Sequence, residues 1–180
     1  MNNVFRIMLV MSLGLSWLSV ASEISAVEAK SLLKLGQMKE QQGQFTQRKY
    51  FKRLAKPFVS SGEYHIDAQG LRWQTLTPAK SAIVITEDTM LLENGSGQQT
   101  QLNQGEMYAR LLKQLMLGEF EALSPYFSMK TTAQSHCIVL LPTDESISQL
   151  MSEVKLCGQG QLDSLVLLDK QQNKTEITLH

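Results

Sequence analysis

Phe58-Val-Ser-Ser-Gly-Glu-Tyr-His-Ile66, Asp67-Ala-Gln-Gly70, Leu71-Arg-Trp-Gln-Thr-Leu76, Thr77-Pro-Ala-Lys80 and Ala82-Ile-Val-Ile-Thr86 follow one another along the chain. Short β-rich segments alternate with turn residues, the texture of an antiparallel meander. The pattern extends in both directions. Upstream, Gln44 to Leu54 reads as a strand that Pro57 breaks. It is unusually basic, with Arg48, Lys49, Lys52 and Arg53. Downstream, Thr89 to Glu93 and Gln98 to Leu102 flank Asn94-Gly95. That pair signals a hairpin because both residues tolerate positive φ.

Two helices bracket this meander. Val27, Leu32, Leu35 and Met38 recur at helical spacing and predict a helix over Ile24 to Gln42, stopped by Gly43. Met107, Tyr108, Leu111, Leu112, Leu115 and Met116 form a broad apolar stripe over Gln104 to Leu117, with Gly118 as C-cap. Strands then return over Ser128–Ala133, His136–Leu141, Val154–Cys157, Leu162–Leu168 and Thr175–Leu179, with a short helix within Pro142 to Ser152. The order predicts an α+β domain, one large curved antiparallel sheet with helices grouped on one face.

Composition narrows the class of protein. The chain has 180 residues, 43% hydrophobic, with 17 Lys+Arg against 17 Asp+Glu. That length suits one domain. Balanced charge argues against nucleic acid as partner, and against a polybasic route to an anionic membrane surface for the chain as a whole. Arg6 precedes a fourteen-residue apolar run from Ile7 to Val20, and Ser19 and Ala21 supply small residues for cleavage. Residues 1–21 are therefore expected to be a secretory signal peptide, leaving 22–180 as a single domain. The run is short for a membrane span, which needs about 20 residues. No cysteine stands at the cleavage site to carry a lipid, so the expected product is soluble. Export also bears on Cys137 and Cys157. In an oxidising compartment they read most simply as a disulfide, the alternatives being two buried thiols or a redox pair. No Cys-x-x-Cys is present.

Motifs for catalysis are absent. His65, His136 and His180 have no partner at metal-ligand spacing. There is no Gly-x-Ser-x-Gly elbow, no Walker motif and no dinucleotide fingerprint. Neither an enzyme nor a bound cofactor or metal is expected. What stands out is a surplus of apolar positions, with methionines that adapt to irregular shapes. A curved sheet capped by helices can enclose an apolar cavity, although the same residues can pack a dry core. A second reading is an interaction module that binds an envelope protein through the basic strand Arg48 to Arg53, taken as a sheet edge.

Gly43-Gln-Phe-Thr-Gln47, Pro57-Phe-Val-Ser-Ser-Gly62, Gly70-Leu-Arg-Trp73, Thr77-Pro78 and Ile83-Val-Ile85 together resemble the LolA family of periplasmic outer-membrane lipoprotein carriers. Tyr108-Ala-Arg-Leu-Leu112, Gly118 and Leu162-x-x-Leu-x-Leu167 continue the likeness over the rest of the mature chain. The resemblance implies an unclosed antiparallel β-barrel with helices as a lid over an apolar cavity. It implies a monomeric periplasmic carrier that needs no cofactor and holds the acyl chains of a lipoprotein. Its implied partners are an inner-membrane transporter that loads it and an outer-membrane receptor that unloads it. Phe45, Phe58, Leu71, Trp73, Ile83 and Ile85 from the sheet, with Met107, Leu111 and Leu115 from the second helix, are the expected cavity residues. A charge at Trp73 or Leu111 is expected to block cargo while leaving the fold intact. Well-studied members carry Arg six residues before the strand Trp and Phe two before it; here those positions hold Asp67 and Leu71. Arg72 is expected to face the other side of its strand. The departure resembles a divergent branch whose cargo is a lipid-linked small molecule such as an aryl-polyene pigment.

Overall fold

The computed structural model describes residues 21–36, 40–86, 89–102 and 106–180, without the side chains at 106, 108 and 109. The expected leader, apart from Ala21, lies outside the described residues, as does Met38 of the first expected helix.

A short strand β1 (Glu23–Ile24) and helix α1 (Ala26–Leu32) precede a meander of six strands. These are β2 (Gln41–Tyr50), β3 (Phe58–Asp67), β4 (Gly70–Thr77), β5 (Ser81–Ile85), β6 (Met90–Asn94) and β7 (Gln99–Gln101). Helices α2 (Glu106–Leu117) and α3 (Phe120–Leu123) lead to β8 (Phe127–Thr131) and β9 (Cys137–Pro142). Helix α4 (Glu145–Leu150) and strands β10 (Met151–Gly158), β11 (Leu162–Asp169) and β12 (Lys174–Leu179) complete the chain. All strands join one antiparallel sheet in the order β1-β8-β9-β10-β11-β12-β2-β3-β4-β5-β6-β7. The sheet is curved and unclosed, with β1 and β7 at its two ends. This is the architecture expected from the sequence.

The topology puts the helices on one face. β7 ends at one margin of the sheet, and β8 begins beside β1 at the other. The connection, α2 and α3, has to traverse the sheet. Period-2 alternation makes one face apolar. In register, Phe45 lies beside Leu179, Tyr64 beside Trp73, and Leu71 beside both Ile66 and Ile85. Val154, Leu156, Leu165, Leu167 and Ile177 extend this inner face through β10 to β12. The helices set Ala29, Leu115, Phe120 and Leu123 against it, all at 0 or 1% exposure.

Three expectations need correction. The first helix does not reach Gln42. It stops after Leu32, because Lys34 adopts a left-handed φ of 51°. Lys34 and Leu35 then donate backbone bonds to Ser31 and Lys30 in a Schellman turn. The face α1 buries is Ala29, continued by Leu33 and Leu35, while Val27 and Leu32 are exposed. Gly43 lies within β2 opposite Tyr64 and stops no helix. Finally, the basic strand is not a sheet edge, since β2 pairs with β12 on one side and β3 on the other. The short β1 had no signal in the sequence, being only two residues long.

Cys137 and Cys157 are directly opposed on β9 and β10, with Cα atoms 4.1 Å apart, and form a disulfide. It closes a separation of 20 residues. Replacing both with serine should lower stability by about 3 kcal/mol in urea unfolding, the loop-closure value for that length.

Two helices begin on carboxylates. In α1 the Glu28 carboxylate accepts the Ser25 N–H at 2.8 Å, and the Ser25 hydroxyl accepts the Glu28 N–H at 3.3 Å. This is a capping box. The backbone bond from Ser25, then its hydroxyl, holds Glu28 below its ordinary 4.5. In α4 the Asp144 carboxylate accepts from the Ser146 hydroxyl, the main cause of its lowered pKa, and from the Ile147 N–H. Groups whose folded pKa is depressed stabilise the fold above the unfolded pKa and lose that contribution as pH falls through the folded one. Thermal melts should therefore fall on acidification below pH 4.5, the ordinary Glu28 value. The fall should be shallower in a variant carrying Glu28→Gln and Asp144→Asn.

Candidate functional site

The apolar inner face and its helical cover form the candidate site. Phe45, Leu71, Trp73, Ile85, Leu111 and Leu115 all lie in one buried cluster, and Ile83 packs against it partly buried. Phe58 and Met107 lie apart from that cluster. Phe58 has the inner-facing parity of β3 but sits at the strand's far end, 63% exposed. Met107 is 45% exposed on the first turn of α2, its sulfur 3.5 Å from the oxygen of the Ser146 hydroxyl, whose one proton goes to Asp144. Parity alone placed Phe58 on the correct side; how far the cover extends is a tertiary matter.

The centre of the face is an aromatic group. Phe45 on β2 and Trp73 on β4 stack with centroids 3.9 Å apart and planes at 24°. They belong to strands that are not neighbours, because β3 runs between them. The residue of β3 opposite Phe45 is Gly62, which has no side chain to fill the gap. Tyr64 flanks Trp73 with centroids 6.0 Å apart. Burial raises the Tyr64 phenol above its usual value of 10.0. Tyr64 and Ile66 belong to the same buried cluster, and their alternation with Gly62 is visible in the sequence. Leu165, Leu167 and Ile177 join that cluster from across the seam.

Helix α2 ends in a Schellman motif, as its glycine led us to expect. Gly118 has φ 65°, and the Gly118 and Glu119 N–H groups donate to Leu115 and Gln114. A Cβ on Gly118 would also stand 2.8 Å from Leu35 Cδ1, so the ends of α1 and α2 meet here. Beside this turn the Gln41 side chain donates Nε2–H to the Met116 carbonyl at 3.1 Å, tying β2 to the end of α2. No polar or charged residue is buried among the described residues. The buried part of the inner face is apolar apart from the Tyr64 phenol.

Asp67 and Leu71, the two departures, point opposite ways. Leu71 is buried on the inner face at 1% exposure. Asp67 is engaged in the β3–β4 turn. Its carboxylate accepts from the Gln69 and Gly70 N–H groups at 2.8 and 3.1 Å, and pairs with His65 at 3.1 Å. The Gln69 bond, then His65, lowers its pKa. Arg72 faces outward, as expected, and pairs with Glu93 at 3.1 Å.

A wide unclosed antiparallel sheet holding an apolar face beneath helices suits a carrier-type protein for lipid or lipoprotein. The model of the outer membrane lipoprotein carrier protein LolA matches residues 36–180, and the chain belongs to that family. No curated protein matches it. Among solved structures it is similar to a LolA superfamily protein from Nitrosomonas europaea, at 11% identity and a TM-score of 0.49. That match covers 87% of this chain and 92% of the other.

Trp73 and Leu111, at 7% and 3% exposure, are core residues as well as candidate lining. A charge at either would be buried unpaired, so it should act on folding and not on cargo alone. Trp73→Ala should lower stability by about 4 kcal/mol in urea unfolding, through the lost stack and the void left behind.

Proposed function

We propose that the chain is a monomeric periplasmic carrier that shields the acyl chains of a lipoprotein between the inner and outer membranes. The observation that carries this reading is the inner face itself. One buried apolar cluster runs along it from β8 through β12 and on to β5, with Phe45 as its β2 member, and α1, α2 and α3 cover it. Acyl chains laid on that face would escape a cost of about 0.8 kcal/mol per CH₂ in water. Cargo entry would displace the helices, whose own apolar side chains now occupy the face. Residues 1–21 would act as the leader, cleaved after Ala21. An inner-membrane transporter would load the carrier and an outer-membrane receptor would unload it. The cycle needs neither catalysis nor a cofactor, only exchange between apolar surroundings.

A second reading rests on the outward-turned Asp67. Its oxygens are taken by the turn and by His65, so it makes no bond to the helical cover in the way a long basic side chain could. A different handover would suit a lipid-linked small molecule as cargo. Native mass spectrometry of the protein drawn from its own periplasm without detergent decides between them. A lipoprotein adduct is the expected result. A lipid-linked small-molecule adduct would establish the second reading. A bare mass, persisting after incubation with envelope lipids, would overturn the carrier role.

A further inference from the structure

Charge and apolar exposure coincide at one end of the sheet. Between Gln41 and Gly62 the chain carries Arg48, Lys49, Lys52, Arg53 and Lys56 and no acidic residue. The rest of the chain holds 12 basic against 17 acidic residues. All five cations are exposed, and no ion pair among the described residues involves them. Glu176 and Asp169 lie within electrostatic reach of Arg48 and Lys49 respectively, but their direct partners are Lys174 at 2.7 Å and Asn173 at 2.8 Å, and Lys52, Arg53 and Lys56 have no such neighbour among the described residues. In the same stretch Leu54, Phe58 and Val59 are 52%, 63% and 51% exposed.

The loop joining β2 to β3 is a built feature. The Leu54 N–H donates to the Phe51 carbonyl at 2.9 Å, and the Lys52 N–H donates to Asn173 Oδ1 at 3.2 Å. Phe51 meets Phe58 edge to face at 5.6 Å, with the Lys49 ammonium 5.2 Å from the Phe51 ring centre. Phe51, Leu54 and Phe58 line an open depression of about 680 Å³ with Lys52 and Arg53 at its margin.

We propose that this loop docks the protein reversibly on an anionic phospholipid surface. Leu54 and Phe58 would enter the headgroup boundary while the cations meet lipid phosphates. Apolar side chains ringed by Lys and Arg are the pattern of interfacial membrane binding. An acidic peptide fits less well. β2 and β3 are each paired on both sides, so no strand edge is open there for a peptide backbone. Phe58 shares the inner-facing parity of Gly62, so docking would bring the open end of the inner face to the membrane. The proposal does not rest on the carrier reading, because docking needs no cargo.

The test is co-sedimentation of the exported protein with phosphatidylethanolamine vesicles, with and without phosphatidylglycerol. Binding should require phosphatidylglycerol and weaken as salt is raised. Lys52→Gln with Arg53→Gln should weaken it roughly thirtyfold, at about 1 kcal/mol per cation. Leu54→Ser should weaken it about tenfold through lost apolar burial. These side chains are exposed, so melting temperatures should hold; Lys49→Gln with Lys56→Gln is the substitute pair if they do not. Absence of binding, equal binding to vesicles without phosphatidylglycerol, or salt-independent binding would each overturn the proposal. Failure here would leave cargo uptake untouched, and failure of cargo uptake would leave docking untouched.

Discussion

An apolar sheet face this wide cannot stay open to water, and that constraint organises the molecule. Twelve strands among the described residues share one sheet, and alternation gives most of them, though not β7, a hydrophobic side. A closed barrel would cover that side with itself. Here β1 and β7 stay apart, so another layer has to do it. The crossover from β7 to β8 supplies the layer, because it must pass from one margin of the sheet to the other. Leu111, Leu115, Phe120 and Leu123 are the residues it lays down on the way. A cover made of crossing helices is held mainly by apolar packing, which is non-directional. Such a cover can be exchanged for another apolar partner of suitable shape. Thus the element that completes the core is also the element a lipid cargo would replace.

Polar chemistry is kept to the other side and the ends. His65, Asp67, Arg72 and Glu93 pair on or beside the outer face, and the disulfide joins β9 to β10 there as well. The seam between β12 and β2 ties the two meanders together, and His180 exchanges backbone bonds with Gln44 at the very end of the chain. Membership of the LolA family and this segregation agree. A carrier of apolar cargo needs an inner face without competing polar groups, and none is buried among the described residues.

Much of this was legible in the sequence. The alternation in Phe58 to Ile66, Leu71 to Leu76 and Ala82 to Thr86 located strands within a residue or two, since strand period and turn residues are local properties. Gly118 as the stop of α2 was readable for similar reasons, while the cysteine pair was only the simplest of three readings in an oxidising compartment. Six of nine expected site residues fall in the buried cluster, and a seventh packs against it, which parity and helical spacing could supply. Phe58 and Met107 fall outside, because spacing says which side a residue faces and not where the cover ends.

The sequence by itself thus determined most of the strands, the second helix and which two cysteines are available to pair, the elements being set by short-range pattern. Tertiary structure alone decided the rest. Lys34, and not Gly36 two residues later, takes the left-handed position that ends α1, with Leu35 then seated against Gly118. β2 reads like a solvated edge from its charges, yet it is central because the last strand of the chain returns to pair with it. Phe45 and Trp73 stack across a strand that separates them, through a gap left by Gly62. Each of these depends on residues far apart in the chain meeting in one register, and local propensity carries no information about such meetings.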